Sequence, residues 1–251
     1  MNRLLGRVAL VTGSSSGIGA GVAEAFAREG ADVAINHPTD RQGADAEAVA
    51  AAVRATGRRA LVVQADVASE EQVEAMFAAV SAEFGLLDIL VNNAGIISRA
   101  PVEELTLARW DRLLAVHLTG TFLCTRAALR MMKPANYGRI VNTASQLAYL
   151  GAAERAHYGA AKAGIIGFTR SVALELGTAD ITINCVAPGA TDTPMLAGAT
   201  EEFKAELLAT IPKGRFATVA DLVGAYVYLA SEEARHLVGQ CISPNGGDVF
   251  L

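Results

Sequence analysis

The segment VALVTGSSSGIG, residues 8–19, decides the fold of this 251-residue chain. Its first five residues are aliphatic and β-branched, which predicts a short buried strand. The glycine- and serine-rich half leads into Val22, Phe26 and Ala27, whose spacing is typical of a helix. Such a turn could be an ordinary tight turn, but its place between strand and helix favours a dinucleotide site, where N–H groups at the helix N-terminus meet a pyrophosphate.

Six further strand patterns follow the first, and helical patterns separate them. They lie at residues 32–36, 60–64, 88–92, 139–143, 181–187 and 240–243. Glycines that suit helix C-termini stand between them, at Gly30, Gly57, Gly85 and Gly177. Ser69 with Gln72, and Thr218 with Asp221, have capping-box spacing. We therefore predict an α/β fold in one domain, residues 1–251: a Rossmann-type, doubly wound sheet of seven mainly parallel strands with helices on both faces.

Composition excludes several function classes. The net charge of -5 argues against a nucleic-acid or anionic-membrane partner, because no excess of cations can neutralise phosphate. We find no secretory signal pattern and no run of the ~18–20 apolar residues that a bilayer span needs. The three widely spaced cysteines predict neither a disulfide framework nor a metal site. We expect a cytoplasmic protein with a small-molecule substrate.

Six motifs appear in a specific order along the chain. They are TGSSSGIG at 12–19, Asp66-Val67, NNAG at 92–95, Ser145, YGAAK at 158–162, and Pro188-Gly189 followed by Thr193. In this order and spacing the sequence resembles the short-chain dehydrogenase/reductase family over essentially its whole length. The resemblance implies NAD(P)-dependent hydride transfer between a nicotinamide ring and an alcohol or carbonyl group, and a homotetrameric assembly.

The resemblance also implies which residues contact the cofactor. Asp66 and Val67 would lie against the adenine, and the threonines after Pro188 would reach the nicotinamide carboxamide. Asp66 could instead cap a helix, and Asn93 could be a plain turn residue. The implied contacts are Gly13, Ser15, Ser16, Gly17, Ile18, Gly19, His37, Asp66, Val67, Asn93, Ala94, Gly95, Tyr158, Lys162, Pro188, Gly189, Thr191 and Thr193.

The choice between NAD and NADP depends on the end of the second strand. An acidic residue there would hold a ribose 2′-hydroxyl and repel a 2′-phosphate. His37 occupies the position where NAD-selective family members carry Asp, and Ser16 and Pro38 stand where NADP-selective members carry basic residues. His37 could contact a 2′-phosphate or be an ordinary loop residue. Because no carboxylate repels the phosphate, the sequence favours NADP.

Tyr158 and Lys162 are four residues apart on a predicted helix, so they share one face. An ammonium ~5 Å from a phenol at an effective dielectric of ~20 stabilises the phenolate by roughly 3 kcal/mol. That energy would lower the tyrosine pKa from about 10 to about 8, within range of general acid/base catalysis. The resemblance implies that Ser145 polarises the substrate oxygen and that Lys162 also binds the nicotinamide ribose; Ser145 could alternatively be a cap.

His117 is a departure from the family pattern. The family usually carries Asn at this position, where it supports a water-linked proton relay through the lysine. The imidazole could serve the relay itself, or it could be a structural histidine with the relay rearranged. We therefore include His117 as a fourth catalytic candidate.

The substrate pocket is predicted from residues around these groups. Gln146, Tyr149 and His157 offer hydrogen bonds, which favours a sugar, polyol or hydroxy acid, although they could be incidental rim residues. Residues 194–215 form an amphipathic segment that suggests a lid. Arg99, Arg155 and Arg215 keep a 3-oxoacyl thioester open as an alternative substrate. A non-catalytic NAD(P)-sensing protein is disfavoured because Ser145, Tyr158 and Lys162 are all present. A methyltransferase is disfavoured because it would not need Tyr158 and Lys162 at this spacing.

Overall fold

Seven strands form one sheet in the computed structural model of the chain, which describes residues 2–198 and 200–250. The strands are β1 (Val8–Val11), β2 (Asp32–His37), β3 (Ala60–Gln64), β4 (Ile89–Asn92), β5 (Gly138–Thr143), β6 (Ile181–Val186) and β7 (Cys241–Ile242). Their order is β3-β2-β1-β4-β5-β6-β7, and every neighbouring pair is parallel. The predicted doubly wound α/β fold is confirmed.

Helices cover both faces of the sheet. The α-helices are α1 (Gly17–Arg28), α2 (Gly43–Ala55), α3 (Glu70–Phe84), α4 (Leu107–Leu114), α5 (Gly120–Ala135), α6 (Leu147–Leu150), α7 (Ala156–Leu176), α8 (Pro194–Ala197), α9 (Glu201–Thr210) and α10 (Val219–Ala230). One apolar cluster unites α1, α2 and α10 with one face, and a second unites α3, α5 and α7 with the other. Because both faces are covered, the strands are apolar throughout rather than alternating.

Local signals in the sequence end and begin these helices as expected. The four glycines predicted at helix ends all have positive φ, at 98°, 80°, 79° and 54° in chain order. Thr218 and Asp221 form a complete capping box, with reciprocal side-chain bonds to backbone N–H groups. Ser69 caps the N–H of Gln72, but the Gln72 side chain accepts from Asp66 instead, so only half of that box forms.

The topology places a crevice beside β1. From β1 the chain winds outward through β2 and β3, then crosses to β4 on the other side. The loops that follow β1 and β4 therefore diverge, and ligands bind at this point in open parallel sheets. Within the described residues, none of the helices is both long and apolar enough to span a bilayer.

Candidate active site

A cavity of about 320 Å³ lies at the carboxyl ends of the strands. Among the residues that line it are 16 of the predicted cofactor contacts and all four candidate catalytic residues: Gly13, Ser15, Ser16, Gly17, Ile18, Asp66, Val67, Asn93, Ala94, Gly95, Pro188, Gly189, Thr191, Thr193, Tyr158, Lys162, Ser145 and His117. The sheet thus brings together segments that are up to 180 residues apart in the sequence, between Gly13 and Thr193.

Thr12 joins the glycine-rich turn to the end of β4. Its hydroxyl donates to the carbonyl of Val91 at 3.3 Å and accepts from the N–H groups of Asn93 and Ala94 at 3.0 and 3.1 Å. The adjacent Gly13 has φ +60°, and a Cβ there would lie 2.7 Å from the Cα of Ala94. A side chain would therefore push the two loops apart, which explains why glycine follows β1.

The N-terminus of α1 suits a pyrophosphate. Ser16, the N-cap, makes no side-chain cap bond, and the first turn of α1 has no acidic residue. The free N–H groups and the positive end of the helix dipole therefore face the cavity without an internal anion. Gly17 has φ +58°, and a Cβ there would project toward Thr193 across the space that a phosphate would enter. The residues present fit the phosphates of a dinucleotide.

Gly19 differs from the other glycines of the turn. It does not line the cavity, and a Cβ there would lie 2.5 Å from both the Asn93 side chain and the Gly13 carbonyl. Its function is close packing of α1 against the loop after β4. Gly19 is therefore a predicted cofactor contact that the structure does not bring to the cavity lining.

At the far end of the cavity, Asp66 is held in an ion pair. Its carboxylate lies 2.9 Å from the guanidinium of Arg112, and it also accepts from the N–H of Ala68 at 3.0 Å. Asp66 therefore caps the turn after β3 and lines the cavity at the same time. The two roles expected as alternatives for Asp66 occur together, and no local pattern in the sequence indicates its partner Arg112.

His37 is not brought into the cavity. Its ring is buried beside Gly43 at the start of α2, and Nδ1 donates to the carbonyl of Thr39 at 2.9 Å. Pro38 and Gln42 line the cavity in its place. The structure therefore does not bring the His37 side chain, a predicted cofactor contact, to the cavity.

At the opposite end, three catalytic candidates meet. Ser145 follows β5, while Tyr158 and Lys162 share a face of α7. The Lys162 Nζ donates to the Thr143 carbonyl at 2.5 Å and lies 5.7 Å from the centre of the Tyr158 ring. The Ser145 hydroxyl is close enough to Tyr158 to lower the pKa of its phenol. This arrangement can exchange a proton with an oxygen placed beside Ser145 and Tyr158.

Burial changes the predicted electrostatics of this group. It raises the pKa of Tyr158, and the Ser145 hydroxyl and the positive charge of Arg155 offset this only in part. Burial also lowers the pKa of Lys162 to about 7, so the lysine is only partly charged at neutral pH. The expected fall of the Tyr158 pKa to about 8 is therefore wrong for the chain alone, because desolvation acts on both members of the pair.

His117 lies in a single π turn, Ala115–Thr119, between α4 and α5. Its Nε2 lies 2.7 Å from the carbonyl oxygen and 3.0 Å from the nitrogen of Ile96, while Nδ1 is buried without a partner among the described residues. The ring contacts Tyr158 edge-on, with centroids 5.3 Å apart. Burial first, and the charge of Lys162 second, lower the His117 pKa to about 3, so the imidazole is neutral.

The three predicted substrate residues have different positions. Gln146 lines the cavity, and its amide donates to Asp248 at 2.6 Å. His157 is fully buried outside the cavity and bonds to the Ser98 hydroxyl at 2.6 Å, since it points away from the face that carries Tyr158. Tyr149 also lies outside the cavity, on the far side of α6 near Cys241. Of the three predicted substrate residues, the structure therefore brings only Gln146 to the lining of this cavity.

Other residues complete the substrate end. Met195, Leu196 and Leu207 line it from the predicted lid segment. Arg155 lines it from the residue before α7, one turn ahead of Tyr158. The sequence contained a signal for Arg155, because residues three apart on a helix share a face.

The chain is similar to known proteins in sequence and in fold. Residues 13–248 match the family model described as enoyl-(acyl carrier protein) reductase. The chain is 44% identical to cis-4-hydroxycyclohexanecarboxylate dehydrogenase of Sinomonas cyclohexanicum over 96% of each chain. It is 39% identical to 3-oxoacyl-[acyl-carrier-protein] reductase of Staphylococcus aureus, over 95% of this chain and 96% of that protein. The crystal structure of levodione reductase superposes with a TM-score of 0.93 at 33% identity, covering 98% of both chains.

Proposed function

This chain belongs to the short-chain dehydrogenase/reductase family and is an oxidoreductase of alcohol or carbonyl groups, and from that premise we propose that it oxidises or reduces a sugar, polyol or hydroxy acid with Tyr158 as its acid/base. Family members use NAD(P). The observation that carries the proposal is that one cavity joins the open N-terminus of α1 to Ser145, Tyr158 and Lys162.

When bound, the nicotinamide supplies or accepts the hydride. The protein must then deliver a proton to the alkoxide, or remove one from the alcohol, at the same carbon's oxygen. Tyr158 is the group that we assign to this step, and the Ser145 hydroxyl lines the same cavity and lowers the pKa of the phenol. Burial keeps the Tyr158 phenol protonated in the chain alone, which suits proton donation to an alkoxide. Lys162 donates a hydrogen bond to the Thr143 carbonyl, which holds its amine in the cavity beside Tyr158.

His117 acts as a positioning residue in this proposal. Its Nε2 is engaged with the Ile96 backbone, which is no part of a proton path, and its low pKa keeps the ring from carrying a proton as imidazolium. The ring supports the loop after β4 and the edge of Tyr158. Of the two roles open at the sequence level, the structural one has the better geometric support.

The cofactor contacts proposed are the lining residues from the glycine-rich turn, the loops after β3 and β4, and the segment from Pro188 to Thr193. NADP is favoured over NAD because the residues that line the cavity after β2, Pro38 and Gln42, carry no negative charge. A 2′-phosphate would meet no repulsion from them.

The substrate class follows from the relatives and the cavity wall. The similarity to a hydroxycyclohexanecarboxylate dehydrogenase supports a hydroxy acid. The second candidate, reduction of a 3-oxoacyl thioester, is supported by the similarity to an acyl-carrier-protein reductase. We further propose that residues 194–215 act as a lid, since α9 has no fully buried residue and yet contributes Leu207 to the cavity.

We propose that the chain is one domain, residues 1–251, and that it assembles as a homotetramer. Support for assembly comes from exposed apolar side chains, among them Leu174 on α7 at 86% and Phe250 at 89% exposed. Sedimentation velocity at micromolar concentration measures the state directly. A monomer would remove this part of the proposal and leave the catalytic part untouched.

The deciding experiment is absorbance at 340 nm with NAD(H) and NADP(H) separately. The panel contains cis-4-hydroxycyclohexanecarboxylate, gluconate, a hexitol and the N-acetylcysteamine thioester of acetoacetate. Turnover of any of these alcohols or acids supports the first candidate, and turnover of the thioester alone supports the second. No turnover with any of them, in either direction, would contradict the proposed function.

A further inference from the structure

Arg155 is a cation of the cavity wall that has no anionic partner among the described residues. Of the other two cations that line the cavity, Arg112 pairs with Asp66 at 2.9 Å, and Lys162 donates to the Thr143 carbonyl. Across residues 2–198 and 200–250, no carboxylate forms a salt bridge with Arg155. An unpaired guanidinium that is removed in part from water is costly unless an anion completes it.

Its position relative to the chemistry is fixed by the helix. Arg155 immediately precedes α7, and its carbonyl accepts from the N–H of Gly159, so it lies one turn before Tyr158. Residues three apart have Cβ atoms ~5–6 Å apart on one face. The charge of Arg155 is close enough to act on the Tyr158 phenol. The guanidinium therefore stands near the reacting carbon and not at the cofactor end.

An aromatic ring lies beside this guanidinium. The ring of Phe203, on α9, lies 5.4 Å from the Arg155 Cζ and 4.0 Å from the Arg99 Cζ. A cation–π contact uses the flat face of a guanidinium and leaves its N–H edge free. That edge can make two parallel bonds to a carboxylate. Leu207, one turn after Phe203, lines the cavity, so α9 brings both residues to the same side.

The backbone around Arg155 is also constrained. Glu154 has φ +61°, a left-handed conformation that non-glycine residues adopt rarely, and its carbonyl accepts from the N–H of Ala100 at 3.0 Å. Arg109 donates to the Arg99 carbonyl at 2.7 Å. The bond between Ala100 and Glu154 joins the residues next to Arg99 and Arg155, so both arginines are held near Phe203.

We propose that Arg155 binds the carboxylate of a hydroxy- or oxo-acid substrate whose reacting oxygen faces Tyr158, and that Arg99 positions α9 over it through Phe203. This inference rests on the proposed function and selects the acids from its substrate classes. The phosphate of a phosphopantetheine arm is a poor occupant, because that arm is long and would carry its charge away from the reacting carbon. Neutral sugars and polyols leave the cation unpaired.

The test compares a carboxylic acid substrate with its neutral methyl ester. In the full-length enzyme with its cofactor, kcat and KM are measured for cis-4-hydroxycyclohexanecarboxylate and its methyl ester. We expect the acid to be preferred in kcat/KM, and Arg155→Met to raise KM for the acid by about tenfold or more, the change that loss of a charge-assisted pair produces. KM for the ester should change little in Arg155→Met. Arg155→Lys, which keeps the charge but not the fork, should fall between.

Controls separate binding from folding and from catalysis. Arg54→Met removes an exposed arginine on α2 that does not line the cavity, and it should leave both substrates unaffected. Arg99→Met should raise KM for the acid substrate less than Arg155→Met does. Circular dichroism and thermal melts verify folding. Binding of cyclohexanecarboxylate, which has no hydroxyl to oxidise, is measured by calorimetry in the presence of cofactor and should be lost in Arg155→Met.

The outcomes distinguish the two levels of the proposal. Equal use of acid and ester, or an equal loss for both in Arg155→Met, overturns the carboxylate site while the oxidoreductase function stands. Preference for acetoacetyl-CoA over acetoacetate does the same and points to a phosphate-bearing arm. Absence of all turnover defeats the proposed function, and the calorimetric result then still decides whether Arg155 binds a carboxylate.

Discussion

Lys162 and Tyr158 share one face of α7, with the lysine Nζ 5.7 Å from the centre of the tyrosine ring and committed to the Thr143 carbonyl. Both side chains have lost most of their water, so each is pushed toward its neutral form. In the chain alone, Tyr158 is therefore a neutral phenol, and it lies beside the Lys162 amine, whose pKa is about 7. An added positive charge in the cavity would favour the phenolate and oppose the ammonium.

Tyr158→Phe tests the proton donor. Removing the hydroxyl deletes the group that exchanges the substrate proton, so kcat should fall by about 10²–10⁴-fold. The cofactor dissociation constant, measured by calorimetry, should stay within about twofold of wild type. Tyr149→Phe is the matched control, since its hydroxyl lies outside the cavity, and it should keep normal turnover. Full activity in Tyr158→Phe would refute the acid/base assignment.

The stability of the ligand-free protein should depend on the Lys162 proton. Its folded pKa of about 7 is below the ordinary 10.5, so above pH 7 the unfolded state binds more protons and stability rises with pH. Between pH 7 and 9 this amounts to roughly 2–3 kcal/mol in the free energy of unfolding. The neighbouring Cys185 thiol lowers the pKa of Cys241, and this shift has the same sign.

Chemical unfolding at pH 7 and pH 9 measures this effect, and Lys162→Met isolates it. The variant keeps Cys241, and its free energy of unfolding should rise less between pH 7 and pH 9 than that of wild type. Identical slopes in the two proteins would mean that the buried lysine does not carry the proton linkage.

The sequence predicted backbone features better than side-chain directions. Strand patterns are local, and each predicted strand lies within one residue of the observed one at both ends. The shared face of Tyr158 and Lys162 follows from helical spacing alone. The directions of His37 and His157 depend on tertiary partners, Thr39 with the start of α2 and Ser98, which no local pattern specifies.

The pKa of Tyr158 could not be predicted for a related reason. The sequence gives the distance between phenol and ammonium through helix geometry, but it does not give the depth at which both are buried. Because desolvation scales with that depth, it reverses the direction expected from the ion pair alone. Arg155 was visible as a cation near Tyr158, whereas its lack of a carboxylate partner is a property of the folded surroundings.

A carboxylate at the end of β2 should change cofactor choice. We expect Pro38→Asp, at the residue after β2 that lines the cavity, to lower kcat/KM for NADP by about tenfold or more through repulsion of the 2′-phosphate, with less effect on NAD. Pro38→Asn is the matched neutral control, because it also removes the proline ring but adds no charge. Steady-state kinetics with both cofactors measure the ratio. If Asn and Asp shift the ratio equally, charge at this position does not select the cofactor.

His117 should make the protein sensitive to acid. Its folded pKa of about 3 is below the ordinary 6.5, so as the pH falls from 6.5 toward 3 the unfolded state takes up a proton that the folded state refuses. Stability is therefore lost over this window, by on the order of 4 kcal/mol at its lower end. His117→Gln keeps a hydrogen-bonding side chain beside Ile96 but cannot titrate. Its unfolding free energy, measured by urea denaturation at pH 7 and pH 4.5, should fall less than that of wild type, and an equal fall would show that His117 is protonated in the folded protein.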